Sequence, residues 1–276
     1  MLKTIVIVNG AQDWRPLFPG MSVVQVQLSR SRWLLERGEL RIVDPHGSHH
    51  PDALIWRLGA VSPSPMHRAC LEMIRLSGVP CINSAGTLLR GYDRLSMLHE
   101  LRVAGLPVIE FDCVAASSGG WLRTQRALPV VLKVGNLHGG DGKALLRHEL
   151  DCENAEALSS IWLTQSGYAT FEPHVKYVRD VRCLAIGGQM WAMERRGEGW
   201  RANVNTSAHE LIAVPGPLAD WTQRAMQHLD ADILGLDFLE REDGSWVVLE
   251  SNDIPGLAGF PDVAMQALAS VVREKL

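Results

Sequence analysis

The sequence predicts a mixed fold, a parallel α/β lobe followed by one or two lobes with antiparallel hairpins, on three observations. The chain has 276 residues, more than one hydrophobic core usually serves, so two or three lobes are expected. From residue 1 to about residue 90, short apolar runs alternate with helical patterns, as in a parallel sheet with crossover helices. Further on, β-patterned runs flank tight glycine turns, as in antiparallel hairpins.

Taken in order, Thr4 to Val8 is apolar throughout, as a strand buried on both faces must be. Residues 23–37 read as a helix stopped at Gly38, and residues 40–43 as the next strand. Residues 45–51 read as a solvated loop, and nothing there fixes a metal geometry for its three histidines, His46, His49 and His50. Residues 53–58 form a third strand. Ser64-Pro65 opens a helix with Met66, Ala69, Cys70, Met73 and Ile74 on one face, closed by Gly78. A strand at 79–82 follows. Asp93 can cap a helix through Leu95, Leu98 and Leu101, ended by Gly105 and Pro107. Residues 114–128 are a polar connector, and residues 129–134 are a strong strand. A helix at 264–271, with Ala267 and Leu268 on its apolar face, packs the C-terminal lobe.

Bulk properties restrict the partners. The composition is ordinary for a globular protein, 46% hydrophobic and 21% charged. A net charge of −4 gives no general attraction to nucleic acid or an anionic membrane. No apolar run is long enough to span a bilayer, and the N-terminus lacks a signal-peptide pattern. Five scattered cysteines, an odd number without a Cys-x-x-Cys pair, suit a reduced, cytoplasmic protein.

Two stretches carry chemistry. With Asp243-Gly244 as a two-residue turn, Asp237 falls directly across from Glu250, and Asn252 lies on the same face two residues on. Opposed carboxylates repel and raise one another's pKa. A hard cation such as Mg²⁺, which takes oxygen ligands, removes the conflict; acids splayed into solvent are the competing reading. Upstream, Gly135-Asn136-Leu137-His138-Gly139-Gly140-Asp141-Gly142 lies between Lys133 and Lys143. Glycines allow backbone N–H groups close to a phosphate chain, and the flanking lysines neutralise it. The loop is not a Walker A motif, because Leu137 stands where the first glycine belongs and Ala144 where Ser or Thr belongs. Nor is it a dinucleotide fingerprint, since no helix signal follows. A tight hairpin with no ligand is the competing reading here. A lysine within the apolar strand 129–134 is costly unless it is paired or meets a ligand.

Lys133, the glycine loop and the distant Asp237, Glu250 and Asn252 together resemble the ATP-grasp superfamily, in particular the RimK-type amino-acid ligases and the synapsins. Other segments resemble it in the same order: Asp52 to Gly59, Pro80 to Ser84, Ala169 to Val175, Asp180-Val181-Arg182, Glu194-Arg195-Arg196 through Trp200-Arg201-Ala202-Asn203, and Leu249-Glu250-Ser251-Asn252-Asp253-Ile254-Pro255-Gly256-Leu257. A solvated hairpin tip is the competing reading for Arg195, Arg196 and Arg201, and it is expected to hold for one of Arg195 and Arg196. The resemblance implies an N-terminal lobe over residues 1–90, a central lobe with the glycine lid over 91–170, and a C-terminal lobe with the metal site over 171–276. ATP would lie between the last two, which the resemblance makes α+β lobes.

By the same resemblance, Lys133 contacts the α-phosphate, and Arg94 stands where the ligases carry a lysine. His138, Gly139, Gly140, Gly142 and Lys143 cover the phosphates. Backbone around Glu172, His174 and Val175 holds adenine, and Glu172 or Asp180 reaches adenine or ribose. Asp237, Glu250 and Asn252 bind Mg²⁺ or Mn²⁺. Arg182, Arg201 and Asn203 form the catalytic set at the γ-phosphate or the substrate carboxylate.

The implied reaction is amide formation between a carboxylate and an amine through an acyl phosphate, with an amino acid such as glutamate as one substrate. The acceptor would be a small molecule or a peptide or protein terminus, and related ligases are often homo-oligomers. The alternative is a synapsin-like regulatory ATP-binding protein. The intact Glu250-x-Asn252 end and its Pro255-Gly256-Leu257 continuation favour catalysis.

Overall fold

The computed structural model describes residues 2–10, 12–59, 64–115, 127–137, 141–158, 167–197, 200 and 206–276. Strands β1 (Thr4–Val8), β2 (Ser22–Val26), β6 (Ala53–Trp56) and β7 (Cys81–Ile82) form a parallel sheet in the order β2-β1-β6-β7. Between them, β3 (Arg32–Glu36), β4 (Glu39–Asp44) and β5 (Gly47–His49) make a small antiparallel sheet. The helix expected over 23–37 is therefore absent. Val23, Val24 and Val26 are β-branched and join the sheet instead. Arg37 and Gly38, at φ of 55° and 88°, close a two-residue hairpin with Glu36 opposite Glu39. Part of the expected 45–51 loop is strand as well, and His49 Nε2 lies 3.0 Å from Asp44 Oδ1.

Helix α1 (Pro65–Ser77) starts at a Ser64 cap and stops at Gly78, whose φ is 70°. Helix α2 (Ala85–Gly91), capped by Ser84, escaped the sequence reading because seven residues show little periodicity. Helix α3 (Arg94–Val103) has the expected cap: Asp93 Oδ1 accepts from the backbone N–H of Leu95 and Ser96 at 2.9 and 3.1 Å.

The central sheet is antiparallel. It orders β10 (Lys143–Leu146), β9 (Val130–Val134), β11 (Ala169–Pro173) and β8 (Asp112–Val114), with helix α4 (Glu149–Ala157) beside β10. It has its own small core, in which Leu132, Val134, Leu146 and Phe171 meet.

The C-terminal sheet, also antiparallel, runs β14 (Thr206–Ile212), β13 (Gln189–Gly197), β12 (Arg179–Ile186), β15 (Ile233–Glu240), β16 (Trp246–Asn252). Strand alternation gives it two apolar faces. Val181, Cys183 and Ala185 pack on α3 and on α5 (Gly216–Leu229). Leu184 and Ile186 pack on α6 (Asp262–Glu274), and the same cluster takes in Ile5, Ile7, Ile55 and Ile82 of the N-terminal sheet. Asn83 fastens this junction. Its Nδ2 donates to the carbonyls of Ile233 and Asp253 at 2.7 and 2.8 Å, and its Oδ1 accepts from the N–H of Asp232 and Ile233 at 2.7 and 2.8 Å. All four bonding positions of the amide are used.

Candidate active site

Asp237 and Glu250 do face each other, by a different route from the one the turn sequence suggested. The tip is a three-residue loop, Glu242-Asp243-Gly244, closed by Arg241 N–H to Ser245 O at 2.8 Å, with Gly244 at φ 78°. That leaves Glu240 opposite Trp246 and Phe238 opposite Val248. A bulge then adds Leu249 to one strand, and the pairing resumes as Asp237 with Glu250 and Gly235 with Asn252. Two irregularities cancel.

A cleft with about 550 Å³ of empty space separates the central sheet from the C-terminal sheet. Its walls are apolar: Ile109, Val131, Val175, Leu239 and Leu249, with Tyr177 and Trp200. Its charged end holds Lys133, Lys143, Glu172 and Glu250. Lys143 stands directly opposite Lys133 in the β9–β10 ladder, so the ladder places two cations side by side next to the glycine loop. Gly142, at φ 63°, lies where an added Cβ would come within 2.5 Å of Leu137 Cδ1.

Opposite charges are paired across the cleft. Lys133 Nζ bonds Glu172, while Arg94 lies 3.5 Å from Glu172 Oε1 and 3.1 Å from Glu250 Oε2. Lys143 Nζ is 3.6 Å from Glu250 Oε2. Arg94, at the first helical position of α3, thus bridges the central sheet to β16. Arg182 grips Asp237 with two bonds of 2.7 Å, and Arg195 reaches Asp237 Oδ1 at 3.2 Å and Asp180 Oδ1 at 2.5 Å.

These environments shift the titrations. Burial pulls the Lys133 ammonium down to about 8; nearby Arg94 and Lys143 add to this, against the pull of Glu172 and Glu250. Burial lifts Asp180 to about 6 despite Arg195. Burial would also lift Asp237, but Arg182 and Arg195 outweigh it and hold that carboxyl below the usual range. Arg182 is raised, first by Asp237.

The oxygen chemistry suits a hard divalent cation: two carboxylates face each other, with an amide on the neighbouring turn of the ladder. The Asn252 Nδ2 is buried without a hydrogen-bond partner, so that amide is not committed to holding the fold. The acids do not require the cation in order to coexist, because arginines and a lysine already neutralise them. This corrects the expectation that only a metal could resolve their repulsion. Among the described residues, no three His, Cys, Asp or Glu side chains form a metal cage on their own, in keeping with a site that phosphate oxygens complete.

Of the residues singled out from sequence, Arg94, Lys133, Lys143, Glu172, His174, Val175, Arg182, Asp237, Glu250 and Asn252 gather on the cleft or on the ion-pair cluster beside it. Asp180 is buried against Arg195, on the strand that carries Arg182. His138, Gly139, Gly140, Arg201 and Asn203 lie outside the described residues. Arg195 is 8% exposed and bonded to Asp180 and Asp237, whereas its neighbour Arg196 is exposed and pairs with Glu194. The solvated reading thus holds for Arg196 and not for Arg195, which shares the inward β13 face with Met193. The apolar walls were missed because Ile109, Leu239 and Leu249 read as ordinary core positions.

The sequence profile of the RimK-like ATP-grasp domain matches residues 123–273. A probable alpha-L-glutamate ligase from Hydrogenovibrio crunogenus is 28% identical over 265 residues, covering 86% of this chain and 86% of its own. The glutamate–LysW ligase ArgX of Sulfolobus acidocaldarius is 24% identical over 218 residues, covering 72% of this chain and 74% of its own. Among solved structures, a RimK domain ATP-grasp protein from Sphaerobacter thermophilus aligns with a TM-score of 0.71 at 18% identity, over 98% of this chain and 99% of that one. That likeness shows the fold. The chain belongs to the RimK-like ATP-grasp family and is an ATP-dependent carbon–nitrogen ligase.

Proposed function

We propose that the protein forms an amide between a substrate carboxylate and an amine through an acyl phosphate, with an amino acid such as glutamate as one substrate. The observation that carries this reading is the charge pattern of the cleft. Apolar walls suited to a nucleotide base lead to Lys133, Lys143, Arg94, Arg182 and Arg195, set against Glu172, Glu250 and Asp237. Relatives named as glutamate ligases support glutamate as a substrate. The amine partner is a small molecule or the terminus of a peptide or protein.

Lys133 and Lys143 would hold the phosphate chain of ATP under the glycine lid, with backbone at Glu172, His174 and Val175 along the base. Asp237, Glu250 and Asn252 would hold Mg²⁺ or Mn²⁺, which supplies charge neutralisation at the phosphates. Arg182 and, from the undescribed segment, Arg201 and Asn203 would align the substrate carboxylate with the γ-phosphate. Its oxygen attacks phosphorus in line and ADP leaves. The amine then attacks the acyl carbon, phosphate departs and the amine proton is lost to water. Such transfers depend on positioning and charge more than on a protein nucleophile. Residues 1–90, 91–170 and 171–276 serve as substrate-facing, lid and metal-bearing lobes.

The test follows ADP release from Mg-ATP with the twenty amino acids offered singly and in pairs. Amino-acid-dependent release with amide product supports the reading. Nucleotide binding with no acceptor-dependent turnover across the panel overturns it in favour of a regulatory nucleotide-binding protein.

A further inference from the structure

In the N-terminal sheet the chain leaves β1 to one side, forming β2, and returns on the other side as β6. The carboxyl ends of β1 and β6 therefore mark the topological switch point, where parallel α/β sheets bind ligands. Asn9-Gly10 follows β1 there, with φ of 61° and 85°, and Arg57 follows β6. The Arg57 N–H bonds the Val8 carbonyl at 2.9 Å. A Cβ on Gly10 would lie 3.3 Å from Arg57 Cβ, so the glycine lets the arginine stem run against bare backbone.

Arg57 is part-buried, and burial lowers its pKa. Among the described residues it makes no ion pair. Its Nη2 donates to one neutral acceptor, the Pro255 carbonyl, at 2.9 Å. The guanidinium has five N–H donors, and a charge withdrawn from water is costly unless it is paired. Arg94, Arg182 and Arg195 each have a carboxylate of the protein; Arg57 differs. Pro255 is three residues beyond Asn252, a reach of at most about 11 Å of chain. One small substrate could span from Arg57 to the phosphate end of the cleft.

We infer that Arg57 binds a non-reacting carboxylate of the amino-acid substrate, in a subsite formed by Asn9-Gly10, Arg57 and the Pro255 turn. The inference rests on the ligase reading and adds the anchor that selects a substrate with a second carboxylate. A guanidinium fork matches a carboxylate with two parallel hydrogen bonds, and lysine does not reproduce that match.

Two measurements separate this subsite from the reaction itself. Binding of L-glutamate to the full chain with Mg-ADP present, read by calorimetry, tests the subsite. ADP release tests the ligase reading. Arg57→Met keeps the stem and removes the charge, and Arg57→Lys keeps the charge. The expected result is a loss of L-glutamate affinity of about 100-fold in Arg57→Met, with partial recovery in Arg57→Lys and Mg-ADP affinity unchanged in both. L-Glutamine and L-glutamate α-amide, each lacking one carboxylate, should show which one is held: the analogue lacking it binds wild type and Arg57→Met equally. Unchanged L-glutamate affinity in Arg57→Met, or no L-glutamate binding by wild type, overturns the subsite. Binding without turnover overturns the ligase reading and leaves the subsite standing.

Discussion

Lys133 offers a prediction whose size follows from its surroundings. Burial, Arg94 and Lys143 bring its ammonium from the ordinary 10.5 down to about 8 in the nucleotide-free protein. At pH 7 about nine-tenths of the molecules carry the charge, and at pH 9 about one-tenth do. A phosphate chain favours the charged form, so binding must recover a proton above pH 8. Mg-ADP affinity should therefore fall about tenfold between pH 7 and pH 9. Calorimetric titrations at half-unit intervals, repeated in two buffers of different ionisation enthalpy, would give both the slope and the proton uptake. Lys133→Arg stays charged throughout this range, so its profile should be flat. A flat wild-type profile, or an equal slope in Lys133→Arg, would refute the assignment. The sign for folding is the opposite. The folded protein releases this proton before the unfolded chain does, so the cost of burying the charge is complete below pH 8. Stability gains from this group as pH rises from about 8 toward 10.5.

Further outcomes follow from the cluster beside the cleft. Glu250→Gln should cut Mg-dependent ADP release at least 100-fold and lower thermal stability, less than Asp237→Asn because Arg94 keeps Glu172 when Glu250 is lost; normal turnover would remove it from the metal site. Asp237→Asn should abolish turnover and also destabilise by about 3–5 kcal/mol, since Arg182 and Arg195 lose a buried partner; denaturant unfolding reads the second effect. Arg195→Ala should cost a similar amount, whereas Arg196→Ala should stay within about 0.5 kcal/mol of wild type and keep its activity. Gly91→Ala places a methyl group 1.4 Å from Asp253 Oδ2, so it should lose about 1–3 kcal/mol. Adding Asp253→Gly should return most of that loss.

The order of elements was readable wherever local chemistry and tertiary demand agree. Ser64, Pro65 and Gly78 mark α1 unambiguously, and the lysine within apolar residues 129–134 had to be paired or meet a ligand, as its ion pair with Glu172 bears out. Residues 23–37 failed because apolar spacing alone does not separate an amphipathic helix from two strands and a hairpin; Arg37-Gly38 was the missed turn. The Asp237–Glu250 pairing was reached through a two-residue turn that does not exist, and the Leu249 bulge repaired the count. No local rule announces such a bulge. The partners of Asp237 were invisible for a related reason, since Arg182 and Arg195 meet it only once three strands are laid side by side.

Asn83 and the apolar cluster around it decide how the molecule can move. With its amide saturated across the junction and isoleucines from both sheets sharing one interior, the first and last parts of the chain form a single rigid platform. The central sheet has an interior of its own and contributes no residue to that shared cluster, so it is tied to the platform mainly by charged side chains. The ion pairs of Arg94 to Glu172 and Glu250 form a latch that incoming phosphates can trade against.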